Sequence, residues 1–154
     1  MFELFQYLHV VSAVIWAGSA LAGTLIWLPA LVVLEPETIA KYWGALGKRA
    51  RTVVMWSAIA TILTGLARAY LSGRFRSVED LWTPYGLTVT ASFAVFFGMR
   101  AYGRNSGKPV MAALRAGADP RPAMRKALPM DTVVHVGGIL VLLGFMTAMG
   151  VGRV

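Results

Sequence analysis

Long uncharged apolar runs alternate with short charged connections along this chain. The first run, Leu4 to Leu34, carries no charge and exceeds the roughly 20 apolar residues needed to cross a bilayer core. Pro29 near its end predicts a tilt or a kink. The second, TVVMWSAIATILTGLA at residues 52 to 67, reaches spanning length if Arg68 snorkels and Tyr70 sits at the interface. Leu81 to Met99 and Thr132 to Gly152 form the third and fourth, the last opening with Pro129 and Asp131 as helix-start residues. The pattern predicts an all-α integral membrane four-helix bundle, one domain over residues 1 to 154 with no internal repeat. Glu3 stands where a secretory signal would be basic, and the first apolar run is about twice the usual signal length, so it reads as a retained span.

Charge separates the connections. Between spans one and two lie Lys41, Lys48, Arg49 and Arg51 against Glu35 and Glu37, in a stretch that reads as a short interfacial helix leading into span two. Between spans two and three, Arg74 and Arg76 balance Glu79 and Asp80. The third connection holds Arg100, Arg104, Lys108, Arg115, Arg121, Arg125 and Lys126 against Asp119, in a Pro- and Gly-bearing loop with one short helical patch, Val110 to Arg115. The positive-inside rule then places the first and third loops in the cytoplasm and both termini outside, in a multi-pass protein of the plasma (inner) membrane. Topology thereby accounts for the net charge of +8, so the lipid bilayer and not nucleic acid is the expected partner. A contact between the third loop and anionic lipid is the functional alternative to a purely topogenic role.

Composition narrows the chemistry. The chain is 57% hydrophobic and 14% charged, which suits a membrane and not a soluble fold of this length. The absence of cysteine removes disulfides, thiolate metal sites and a thiol nucleophile, leaving His, Met and oxygen as metal ligands. No Gly-rich phosphate loop, zinc-spacing motif or catalytic triad pattern occurs. No carboxylate falls inside the expected spans, and Asp131 reads as a helix cap.

Small residues recur at helical spacing in span one (Ala13 and Ala17, Gly18 and Ala22, Ser19 and Gly23), and Gly137, Gly138 and Gly144 do so in span four, predicting close helix approach there. The Ser and Thr hydroxyls of the spans read chiefly as glue between helices. His9 and Trp16 are nearly two turns apart and share a face; His135, Met146 and Met149 share one in span four. The orientation puts His9 near the outer surface and His135 near the inner one, roughly 20 Å apart along the membrane normal. Such a pair does not ligate one haem, and two histidines are too few for a four-histidine, two-haem arrangement. Two neighbourhoods remain: His9 with Met146 and Met149 outside, and His135 with Met99, Met55 and Met130 inside. Imidazole with thioether suits Cu(I) and is also an axial pair for haem iron. The competing structural readings are methionine as gap filler and histidine bonded to a neighbouring helix. Arg68 either clamps an anion or propionate or snorkels.

The opening LHVVSAVIWAGSA, with Leu8, His9, Trp16 and Gly18, followed by about three further spans and a basic loop, resembles the CopD-like membrane proteins. That family includes copper-resistance D domains and small four-helix relatives of the HemJ type. The resemblance implies a four-helix membrane bundle that handles copper or binds b-type haem. In TLIWLPALVV, Ala30 stands where the HemJ-like branch tends to have arginine, and YGLTVTASFAVFF lacks the lysine expected in span three. These departures put copper handling ahead, with His9, Met146 and Met149 as the outer site and His135 and Met99 as the inner one. A haem-b oxidoreductase or anchor subunit, with His9 axial and Trp16 flanking, is the alternative. A third reading is a non-catalytic subunit of a homo-oligomer or larger membrane complex.

Overall fold

The computed structural model describes residues 1–150, with Leu46 described by its backbone alone. Among these residues the chain is helical with no strand. Helix α1 (Phe2–Ala22) passes through a π-helical turn (Gly23–Trp27) into α2 (Leu28–Val32); α3 (Pro36–Leu71), a 3₁₀ turn (Val78–Trp82), α4 (Pro84–Arg115) and α5 (Arg121–Gly150) follow. Val151 and Gly152, the end of the expected fourth span, lie outside the described residues.

The expected disturbance at Pro29 takes the form of the π turn. Proline has no N–H for the carbonyl one turn back, and its ring crowds that carbonyl. The preceding turn widens instead of breaking, and the Leu28 N–H reaches the Gly23 carbonyl five residues earlier. The helical path therefore continues to Val32.

Two expectations about the connections are corrected. The interfacial helix is not separate: residues 36–46 are the first turns of α3, whose 36 residues extend roughly 54 Å at 1.5 Å per residue. The third loop is also largely helix. α4 runs through Gly103, Gly107 and Pro109 to Arg115, and only residues 116–120 connect it to α5. Packing outweighs the poor local propensity there, because Val110 and Met124 are buried together with Leu31, Val32 and Ile39 in one cluster. The helix stops at Gly117 (φ +65°), where Ala118 N–H bonds the Ala113 carbonyl (2.9 Å) and Gly117 N–H the Leu114 carbonyl (3.4 Å), a Schellman closure that needs a left-handed residue. α5 then begins at Arg121, whose N–H donates to Asp119 Oδ1 (2.9 Å). Pro129 and Asp131, expected at the helix start, lie inside α5.

α1 packs antiparallel on α3 and α4 on α5, and α1 and α2 touch α5. Away from the Leu31 cluster, large apolar side chains face outward, among them Val14 (65% exposed), Leu63 (62%) and Leu140 (62%). Three stretches, Phe2–Val32, Gly47–Leu71 and Arg121–Gly150, are long and apolar enough to cross a membrane. α4, with its Thr88–Ser92 segment, falls below that hydropathy.

Close approach occurs at glycines other than most of those expected. A Cβ at Gly18, Gly23, Gly137 or Gly144 would meet open space, whereas one at Gly65 would meet His9, one at Gly138 would meet Met99 and one at Gly86 would meet the Asp80 carbonyl. The hydroxyls bond chiefly within their own helices, with Thr64 Oγ1, 3.5 Å from His9 Nδ1, as a contact between helices. Ser12, Ser57, Thr61, Thr64, Thr88, Ser92 and Thr147 each donate to a carbonyl three or four residues back on their own helix, the back-bonding that short side chains adopt where no water competes.

Candidate functional site

The polar link between α1 and α3 is His9. Its Nδ1 lies 2.9 Å from the Thr61 carbonyl oxygen. A carbonyl only accepts, so Nδ1 carries the proton and Nε2 keeps its lone pair. The Thr64 hydroxyl stands 3.5 Å from the same nitrogen but spends its proton on the Ala60 carbonyl at 2.6 Å. Gly65 forms the floor under the ring: a Cβ there would stand 2.9 Å from Cε1. The α3 backbone thus fixes both the tautomer and the position of the imidazole.

The His9 ring is part of the wall of a cavity of about 320 Å³ lined by α1, α3, α4 and α5. Trp16, Arg68, Met146 and Met149 line the same cavity, as do Tyr85, Phe93 and Phe96. Helical periodicity places Trp16 beside His9 within α1; the antiparallel partners bring the remaining side chains from three other helices. Trp16 and Phe96 meet with ring centroids 4.9 Å apart, making one aromatic wall. The lining is otherwise almost wholly apolar, with a single cationic side chain, Arg68. Arg68 Nε is buried and has no hydrogen-bond partner, and Gln6 Oε1, one turn before His9, is likewise unpartnered.

The expected inner neighbourhood is not assembled as anticipated. His135 lines a second cavity, and Met99, Met55 and Met130 do not. Met99 is buried against Gly138, while Met55 (38%) and Met130 (54%) are exposed. Met124, fully buried, lines the His135 cavity instead, and so does Asp131. The reading of Asp131 as a helix cap is therefore corrected, since it is nearly three turns into α5. The four-residue interval between Asp131 and His135 was the available signal for that pairing. Thr61 and Gly65 carried no such signal, because they depend on how α1 registers against α3.

Among the described residues no group of three or more His, Cys, Asp or Glu side chains gathers as a metal site. In comparisons with known proteins, the chain matches no family model, no curated sequence and no solved structure.

Proposed function

We propose that this chain is a CopD-like, four-span membrane protein with both termini outside the plasma membrane, and that it holds b-type haem in the cavity between α1, α3, α4 and α5. The observation that carries this reading is His9 itself. One ring nitrogen is tied to a main-chain carbonyl, the arrangement that orients a ligating imidazole and raises its basicity. The other keeps its lone pair, and the ring lines a large, mostly apolar cavity. His9 together with Met146 or Met149 would hold the haem iron, Trp16 and Phe96 would pack on the macrocycle, and Arg68 would pair with a propionate. Haem, when bound, supplies one-electron redox chemistry; the protein binds it, excludes water and neutralises its anionic edge.

Size and charge separate this from copper handling. A single Cu(I) ion has no need of a 320 Å³ apolar cavity, and the Arg68 guanidinium repels a cation while attracting a carboxylate. The cavity is within the size range of small-molecule sites. α4 contributes Tyr85, Phe93 and Phe96 to it, which supports counting the first half of α4 as a span beside the other three.

Purified protein should show a Soret band that is lost in His9→Ala. Copper binding remains the second reading because His9, Met146 and Met149 share one cavity. Copper bound without a Soret band, and lost in His9→Ala, would replace haem with that reading.

A further inference from the structure

The second cavity, about 230 Å³, lies between the C-terminal half of α4 and the N-terminal half of α5, with Trp43 of α3 on its wall. Asp131 and His135 enter it from one face of α5. His135 Nδ1 lies 2.8 Å from the Asp131 main-chain oxygen, so this imidazole too carries its proton on Nδ1 and keeps a lone pair on Nε2. Nε2 rests beside Gly103, where a Cβ would stand 3.4 Å from it. Asp131 Oδ1 is buried and has no hydrogen-bond partner. Ser106, also on the wall, donates to the Gly103 carbonyl at 3.3 Å and retains oxygen lone pairs.

Three residues of this cavity therefore carry acceptor atoms: Asp131 Oδ1, which has no partner, His135 Nε2 and the Ser106 oxygen. The missing component brings positive charge and takes nitrogen and oxygen ligands together. Imidazole with carboxylate selects a borderline divalent ion of the first transition row over soft Cu(I). The basic side chains nearest in sequence, Arg100, Arg104, Lys108, Arg125 and Lys126, are all exposed, whereas Asp131 Oδ1 is buried. We infer that Asp131 Oδ1 and His135 Nε2 bind a divalent transition-metal ion in this cavity, with the Ser106 hydroxyl and water completing its shell. Met99 has no part in the site. This site is separate from the His9 cavity and does not rest on the haem reading.

The test is equilibrium dialysis of full-length, detergent-purified, chelator-stripped protein against Zn²⁺, with elemental analysis. One ion per chain is expected. Asp131→Asn, which keeps the shape of the side chain, should weaken binding by about tenfold or more, as should His135→Ala, while His9→Ala should leave it unchanged. Monodisperse elution of Asp131→Asn establishes that it is folded. Absence of bound Zn²⁺, or binding equal in wild type and Asp131→Asn, would overturn the inference and leave water as the occupant. Because the Soret band is read independently on the same samples, failure here is distinguishable from failure of the haem reading.

Discussion

Gly65 of α3 supports the His9 imidazole of α1 at a separation that admits no side chain: a Cβ on residue 65 would stand 2.9 Å from His9 Cε1 and 3.1 Å from Nδ1. Gly65→Ala therefore either tips the ring off the Thr61 carbonyl or parts the two helices. Overpacking of this kind costs about 1–3 kcal/mol, and the expected outcome is a lower melting temperature together with loss of the Soret band that the proposed haem would give. Gly18→Ala is the control. Its Cβ meets nothing within 4 Å, so the melting temperature and spectrum should be retained or the former slightly raised by helix propensity.

Arg68 tests whether the proposed haem is held by its propionates. Its Nε is buried without a partner, and a charge-assisted bond from it to a carboxylate contributes about 1.5–3 kcal/mol. On the proposed haem reading, Arg68→Gln should weaken haem retention by roughly one to two orders of magnitude, by the ~1.4 kcal/mol-per-decade relation, while the position of the Soret band, which that reading assigns to His9 ligation, stays the same. Titration of haem into the stripped protein measures this. Unchanged affinity would assign Arg68 to snorkelling alone.

The turn joining α3 to α4 carries the clearest pH dependence. Asp80 Oδ2 accepts N–H groups from Arg76 (2.6 Å) and Ser77 (2.8 Å). These bonds hold the carboxyl below its ordinary range, because they favour the charged form. A depressed folded-state pKa means that the contribution is complete above the unfolded value and lost as pH falls through the folded one. Amide exchange at Arg76 and Ser77, corrected for intrinsic rates, should be protected at neutral pH and lose protection on acidification below the ordinary carboxylate range. Asp80→Asn should reduce protection at neutral pH and flatten that dependence. Asp119 is held down in the same direction by Arg121, so the 116–120 turn should loosen on acidification too.

Spans one, two and four could be read from hydropathy, and each has a counterpart among Phe2–Val32, Gly47–Leu71 and Arg121–Gly150. Periodicity also put His9 and Trp16 on one face, and both line one cavity. The helical course of residues 100–115 was not legible, because Gly103, Gly107 and Pro109 look like breakers until Val110 is buried in a cluster with Met124. Nor was the partner of His9. Ser and Thr look like bridges between helices, yet their hydroxyls turn back on their own carbonyls, and the atom that reaches across is a main-chain oxygen of Thr61. Main-chain partners leave no trace in side-chain patterns, and cross-helix register belongs to the assembled fold.

The π turn at Gly23–Trp27 acts on the first helical run as a one-residue insertion would. Each residue of an α-helix advances the facing direction by roughly 100°, so the extra residue rotates everything beyond it relative to the His9 face. Leu31 and Val32 consequently join the buried cluster with Ile39 and Met124, while His9 keeps its own aspect toward Thr61. The two ends of one continuous rod are thereby uncoupled in phase. Removing a single residue within Gly23–Trp27 should swing one end out of register without shifting the other, so that loss of the Leu31 contacts and loss of the His9 contacts become separable defects.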